Sequence, residues 1–187
     1  MPNPEEVGNI IRAGGDIAGA VGGLYDSVLG VYDKFDGEKT LKGRHRSLEL
    51  EIINGSTRRL NWNNDPYFDS GTTFWGPNPA TLEPGKVTMW AVANRQGSFA
   101  TGVTGGAKWG IDGTDLSVVI GFCNPHIGSY KHIVGIRGGG ESAQWGYDNS
   151  HNEHAKDFVN EYGFRIRSFM AESNIAMRKF VYCIANA

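Results

Sequence analysis

The chain has 187 residues, enough for one domain with a substantial core. Its formal charge of −2, with no basic cluster, excludes an electrostatic nucleic-acid binder. Two cysteines, Cys123 and Cys183, are too few for a disulfide framework. Spacing alone leaves open whether those two pair with each other. No apolar stretch behind a positive charge opens the chain, so no signal peptide is expected, and a secreted mature form with an added Met1 fits equally.

Residues 5–36 read as a long amphipathic helix. At 3.6 residues per turn Ile10, Ile17, Val21, Leu24, Val28, Tyr32 and Phe35 fall along one stripe, while Asp16, Asp26, Asp33, Glu5 and Glu6 fall mostly elsewhere. Six acids oppose only Arg12 and Lys34 over this stretch. Each interior glycine costs roughly 1 kcal/mol of helix stability against alanine. Gly15, Gly19 and Gly23 stand four apart and share a narrow face that another surface can approach. Fully helical, the stretch would be roughly 46 Å long at about 1.5 Å per residue, more than the roughly 30 Å hydrocarbon layer of a bilayer. It contains no run of about 20 uncharged residues, so a conventional spanning helix is excluded. Two readings stand: a helix that stays packed on the body, or one that crosses a bilayer with its polar face against water or a partner.

Residues 37–46 form a polar hinge. Ser47 to Asn54 alternates, with Leu48, Leu50 and Ile52 on one face, and predicts a strand. Asn54-Gly55 is a hairpin signal, with Leu60 to Phe68 as the expected partner strand. Asn54-Gly55-Ser56 is also a glycosylation sequon, meaningful if the protein is secreted. A long loop is expected from Ser70 through Pro84, holding Phe74 and Trp75, and Pro84-Gly85 closes it. Val87 to Ala93 and Ser98 to Trp109 predict a second hairpin, joined near residues 94–97. Asp112-Gly113 predicts another turn, leading into an apolar strand over Leu116 to Phe122. Lys131 to Arg137 predicts a further strand, and a short helix is expected near His151. Tyr162 to Met170 and Ile175 to Ala185 finish the chain as strands. The expected class is mainly β: a single domain over residues 1–187, with the amphipathic helix at 5–36, the hinge at 37–46 and a β-sandwich at 47–187.

Catalytic signatures are sparse. There is no nucleophile elbow, P-loop or dinucleotide fingerprint. His151 and His154 are spaced weakly for a metal and lack an evident third ligand. Cys123 near Pro125 and His126 reads better as a buried strand-end cysteine than as a nucleophile. No enzyme activity, cofactor or metal is therefore expected.

Several stretches, in order, resemble one family. Asp16-Ile-Ala-Gly-Ala-Val21 is similar to the start of an amphipathic N-terminal helix. Tyr67-Phe-Asp-Ser-Gly-Thr72, Ala100-Thr-Gly-Val-Thr-Gly105, Phe122-Cys-Asn-Pro125 and Tyr162-Gly-Phe-Arg-Ile-Arg-Ser-Phe-Met170 follow, and together they resemble the actinoporins, pore-forming cytolysins. The resemblance implies a secreted toxin that binds phosphocholine membranes, sphingomyelin above all. It then frees its N-terminal helix, oligomerises and perforates the target-cell membrane, causing hemolysis and ion transport. The stripe Ile10, Ile17, Val21, Leu24, Val28 and Tyr32 would insert. Asp16, Asp26 and Asp33 would line a cation-favouring pore.

The headgroup site implied by the resemblance comprises Ser70, Phe99, Cys123, Pro125 and Tyr130. Cys123 stands where the family has a serine, and Phe99 where it has a valine. The family's exposed tryptophan pair is absent, with Lys131-His132-Ile133-Val134 in its place. Interfacial contact then falls to Phe74, Trp75, Trp145 and Tyr147. The alternative is a non-lytic lectin or lipid-binding protein on the same sandwich; fungal fruit-body lectins resemble the sandwich but lack a segment like 5–36.

Overall fold

The computed structural model describes residues 46–69, 72–75, 79–94, 102–151, 159–171 and 178–187. The stretch 5–36, with the inserting and pore-lining residues expected there, and the hinge as far as residue 45 lie outside the described residues, as does His154.

The described chain is two facing sheets and one short helix. The strands are β1 (Ser47–Gly55), β2 (Leu60–Trp62), β3 (Tyr67–Asp69), β4 (Thr72–Trp75), β5 (Lys86–Asn94), β6 (Val103–Ile111), β7 (Leu116–Asn124), β8 (Lys131–Gly138), β9 (Val159–Glu161), β10 (Phe164–Ala171) and β11 (Arg178–Asn186); the helix α1 spans Gln144–Asn149. One sheet runs β4-β5-β1-β11-β10-β9, and the other runs β2-β6-β7-β8 with β3 also on β6. Alternation sends Leu48, Leu50 and Ile52 of β1 inward, where each is fully buried. They meet Ala107, Trp109 and Ile111 of β6 and Val118, Ile120 and Phe122 of β7 in one core, each large side chain contributing about 1.5–3 kcal/mol by leaving water. Two polar links cross or edge that core. Tyr182 Oη of β11 donates to the Gly121 carbonyl of β7 at 2.9 Å, and Trp109 Nε1 donates to Ala80 O at 3.0 Å.

Strands occupy the described parts of the expected segments, residues 98–101 and 175–177 lying outside the described residues, but several expected pairings are not present. Asn54-Gly55 does not turn back into a hairpin: β1 pairs with β11 in parallel and with β5, while β2 crosses to the other sheet. The Asn54 side chain is consumed locally. It is fully buried, donates to the carbonyls of Arg58 (2.8 Å), Glu83 (3.2 Å) and Leu82 (3.3 Å), and accepts from Ser56 Oγ at 2.7 Å. Its amide nitrogen, the atom a glycan would occupy, is therefore closed to modification in the fold. Leu60 to Phe68 is two strands, broken where Asn64 takes a left-handed φ of 53°. The expected loop 70–84 contains strand β4 on β5, and Leu82 bridges Leu60. β5 and β6 lie in different sheets rather than in one hairpin. Tyr162-Gly163 is the turn between β9 and β10 rather than the start of a strand; both residues have positive φ. The described helix α1 ends at Asn149, and His151 bridges His132 through the backbone; residues 152–158, where a helix starting near His151 would run, lie outside the described residues. Cys123 and Cys183 sit in opposite sheets as free, buried thiols, and burial, with Glu51 adding to it, pushes the Cys183 thiol far up.

The outer face of the six-stranded sheet holds an ion cluster. Lys179 Nζ lies 3.2 Å from Glu49 Oε1 and 2.5 Å from Glu51 Oε2, and Glu51 is fully buried.

Candidate functional site

The outer face of the five-stranded sheet is paved with small residues where α1 crosses it. Gly106 and Gly121 are directly paired on β6 and β7. A Cβ on Gly121 would fall well inside van der Waals contact of the Gly146 carbonyl, and one on Gly106 would do the same to the Ala143 carbonyl. Only hydrogen at these positions lets the helix backbone lie against the strands. Lys108 Nζ holds the incoming loop through Glu141 O (2.7 Å) and Gly139 O (3.3 Å). Ser150 Oγ caps the helix end on Gly146 O at 2.7 Å.

So placed, α1 walls one side of an open concavity of about 390 Å³ lined by Thr104, Cys123, Lys131, Tyr147, Asp148 and Ser150. Its floor belongs to a cross-strand row: Thr104 faces Cys123 and Cys123 faces Lys131, while Asp69, opposite Thr104, continues the row beyond the lining. Neighbouring strands are about 4.8 Å apart, so the row passes from an anion to a cation within one short traverse. Tyr147 packs against Tyr67 with ring centroids 5.4 Å apart. The Asp69 charge raises the Tyr147 hydroxyl above its ordinary value. Burial raises the Cys123 thiol; Lys131 works against that and Asp69 with it. Cys123 is accordingly a neutral lining group rather than a thiolate.

Of the expected headgroup residues, Cys123 lines this cavity and Pro125 flanks it, half-buried at the end of β7. Tyr130 turns inward instead and meets Phe180 edge-on at 6.3 Å. Ser70 and Phe99 lie outside the described residues. Of the expected interfacial aromatics, Tyr147 lines the cavity. Trp145 is half-buried, with the Arg137 guanidinium 3.9 Å over its ring and its edge against Gly135. Phe74 packs edge-on to Phe68 at 4.8 Å, at the margin of the core. The backbone of Trp75 closes β4, and its side chain lies outside what is described.

The sequence reading missed Asp69, Thr104, Lys131, Asp148 and Ser150. Asp69 and Thr104 sit inside the stretches that carry the family resemblance, but their meeting depends on strand register. It also missed Ile127, which is 87% exposed at the tip of the β7–β8 loop. The tip is at the cavity's end of the sandwich, because Cys123 and Lys131 are the last and first positions paired across that loop. Tyr162 and Val159, also exposed, are at the opposite end, beside Asn186 and Gly163.

No family model and no curated protein sequence matches the chain. Its fold does match a solved structure: the crystal structure of the lipid-binding protein Nakanori superposes with a TM-score of 0.68 at 15% identity, over 84% of this chain and 79% of that one. The described residues thus share that protein's fold.

Proposed function

We propose that this chain binds membrane lipids through the Cys123–Lys131–Tyr147 cavity and acts there as a pore-forming cytolysin rather than as an enzyme. The carrying observation is the coincidence, at one end of the sandwich, of a polar cavity bounded by opposite charges and a bare apolar side chain, Ile127. A zwitterionic headgroup suits the cavity, and Ile127 suits the acyl boundary beneath the headgroups. The shared fold with a lipid-binding protein supports the same reading, as do the sequence stretches similar to actinoporins. From that resemblance come the finer parts of the proposal. The protein is secreted, recognises zwitterionic phospholipids of the phosphocholine and sphingomyelin class, and oligomerises on the target-cell membrane. It inserts residues 5–36 as a helix whose Asp16, Asp26 and Asp33 favour cations.

Dye release from phosphatidylcholine vesicles with and without sphingomyelin, using the full chain and Val21→Asp, tests this. Release by the native chain with loss of release but not of binding in Val21→Asp is the expected result. Binding without release by either protein would reduce the function to a non-lytic lipid binder, and no binding to either vesicle would remove the phosphocholine and sphingomyelin class as the target.

A further inference from the structure

The hydroxyls of the cavity are oriented by partners outside it. Ser150 Oγ spends its hydrogen on Gly146 O at 2.7 Å. Thr104 Oγ1 donates to Asp69 Oδ2 at 3.5 Å, and the charge of the same carboxylate raises the Tyr147 hydroxyl above its ordinary value. A hydroxyl has one hydrogen and two lone pairs, so Ser150 and Thr104, whose hydrogens are spent, present acceptor oxygen to the cavity. Asp148 adds a carboxylate. Against these acceptors stand, among the described residues, one strong donor, Lys131, and the weak Cys123 thiol.

A ligand for this lining must carry N–H donors at one end and an anion at the other. A quaternary ammonium carries no N–H, and its usual host is a cage of several aromatic faces. Among the described residues one tyrosine lines the cavity, and its ring is packed on Tyr67. Desolvating the acceptors against methyl groups would leave them unsatisfied, at about 1–3 kcal/mol for each group.

We infer that, among zwitterionic headgroups, the cavity selects one with a primary ammonium, the phosphoethanolamine class, with its phosphate toward Lys131 and its ammonium toward Asp148, Tyr147 and Ser150. This rests on the lipid-binding reading above and names the ligand class of that site. Phosphate contact is common to phosphoethanolamine and phosphocholine, so discrimination comes from the amine end alone.

The test is binding of the full chain to phosphatidylcholine vesicles doped with ceramide phosphoethanolamine, sphingomyelin or glucosylceramide, with soluble phosphoethanolamine and phosphocholine as competitors. Binding to ceramide phosphoethanolamine is expected to be tenfold or more tighter than to sphingomyelin. Asp148→Asn should shrink that ratio toward one, and Lys131→Ala should weaken both. Equal or tighter binding to sphingomyelin overturns the amine selectivity and leaves the lipid reading intact. Tightest binding to glucosylceramide, with no competition by either phosphate, assigns the cavity to a glycan and overturns the inference. Binding of soluble phosphoethanolamine without binding to any vesicle supports the ligand class and overturns the membrane reading.

Discussion

Asn124 donates its side-chain Nδ2 to the Ser47 carbonyl at 3.1 Å, tying the end of β7 to the start of β1 in the opposite sheet. Beside it, Arg46 Nη2 reaches the His126 carbonyl at 3.3 Å. The loop that carries Ile127 is thereby fastened to the point where the hinge enters the sandwich. Asn124 is almost fully buried, so Asn124→Ala leaves a carbonyl without this partner. The expected cost is about 1–3 kcal/mol, read as a lower urea midpoint with an unchanged slope; an unchanged midpoint would mean that solvent serves Ser47 equally well.

Ile127 makes no contribution to the core, so Ile127→Ser should leave folding stability within about 0.5 kcal/mol of the native protein. Burial of an isoleucine side chain in the interface is worth about 1.5–3 kcal/mol, so vesicle binding should weaken by about tenfold or more. Native affinity in this variant would move the membrane-facing surface away from the β7–β8 loop.

Gly121→Ala puts a methyl into the Gly146 carbonyl, both of them backbone-constrained. Displacing α1 should cost about 1–3 kcal/mol and, because α1 carries Tyr147 and Asp148, should weaken lipid binding beyond the stability loss. Gly138→Ala is the control, since an added Cβ there meets nothing within 4 Å. Equal effects of the two substitutions would show that the helix is not held by the close approach.

The Glu49–Lys179–Glu51 cluster predicts a pH dependence. Burial, partly offset by Lys179, holds the Glu49 carboxyl above its ordinary 4.5. A carboxyl raised by folding binds its proton more tightly in the folded than in the unfolded chain. Its contribution to stability is therefore complete below pH 4.5 and is lost as pH climbs through the folded value. Glu49→Gln should flatten that part of the Tm–pH curve. Lys179→Met, which leaves Glu51 buried without its cation, should cost about 3–5 kcal/mol at neutral pH. A Tm–pH profile unchanged in Glu49→Gln would place the titration elsewhere.

Much of the strand content was legible because alternation is local: Leu48, Leu50 and Ile52 differ from Glu49 and Glu51 whatever β1 pairs with. Asp112-Gly113 was legible for the same reason, since Gly113 takes the positive φ of 71° that the turn between β6 and β7 requires. Asn54-Gly55 had equally good hairpin chemistry and failed, because carbonyls of Leu82 and Glu83, 28 and 29 residues away, claim the asparagine side chain. The cavity divides along the same line. Cys123 and Tyr147 could be singled out from the chain alone, one through its place before Pro125 and one as an aromatic in a polar stretch. Tyr130 could not be excluded that way, since its inward direction shows only in its packing against Phe180 of the opposite sheet.

The amino-acid sequence by itself determined which segments are strands, which face of β1 is apolar and where two of the turns fall, because these depend on neighbours a few bonds away. Only the tertiary structure decided which sheet each strand joins. It also decided that Asp69, Thr104, Cys123 and Lys131 align in one row, and that Thr104, Tyr147 and Ser150 line the same space. Those outcomes depend on hydrogen-bond register between strands and on a helix seated against Gly121, contacts whose partners are distant in the chain and have no local signature.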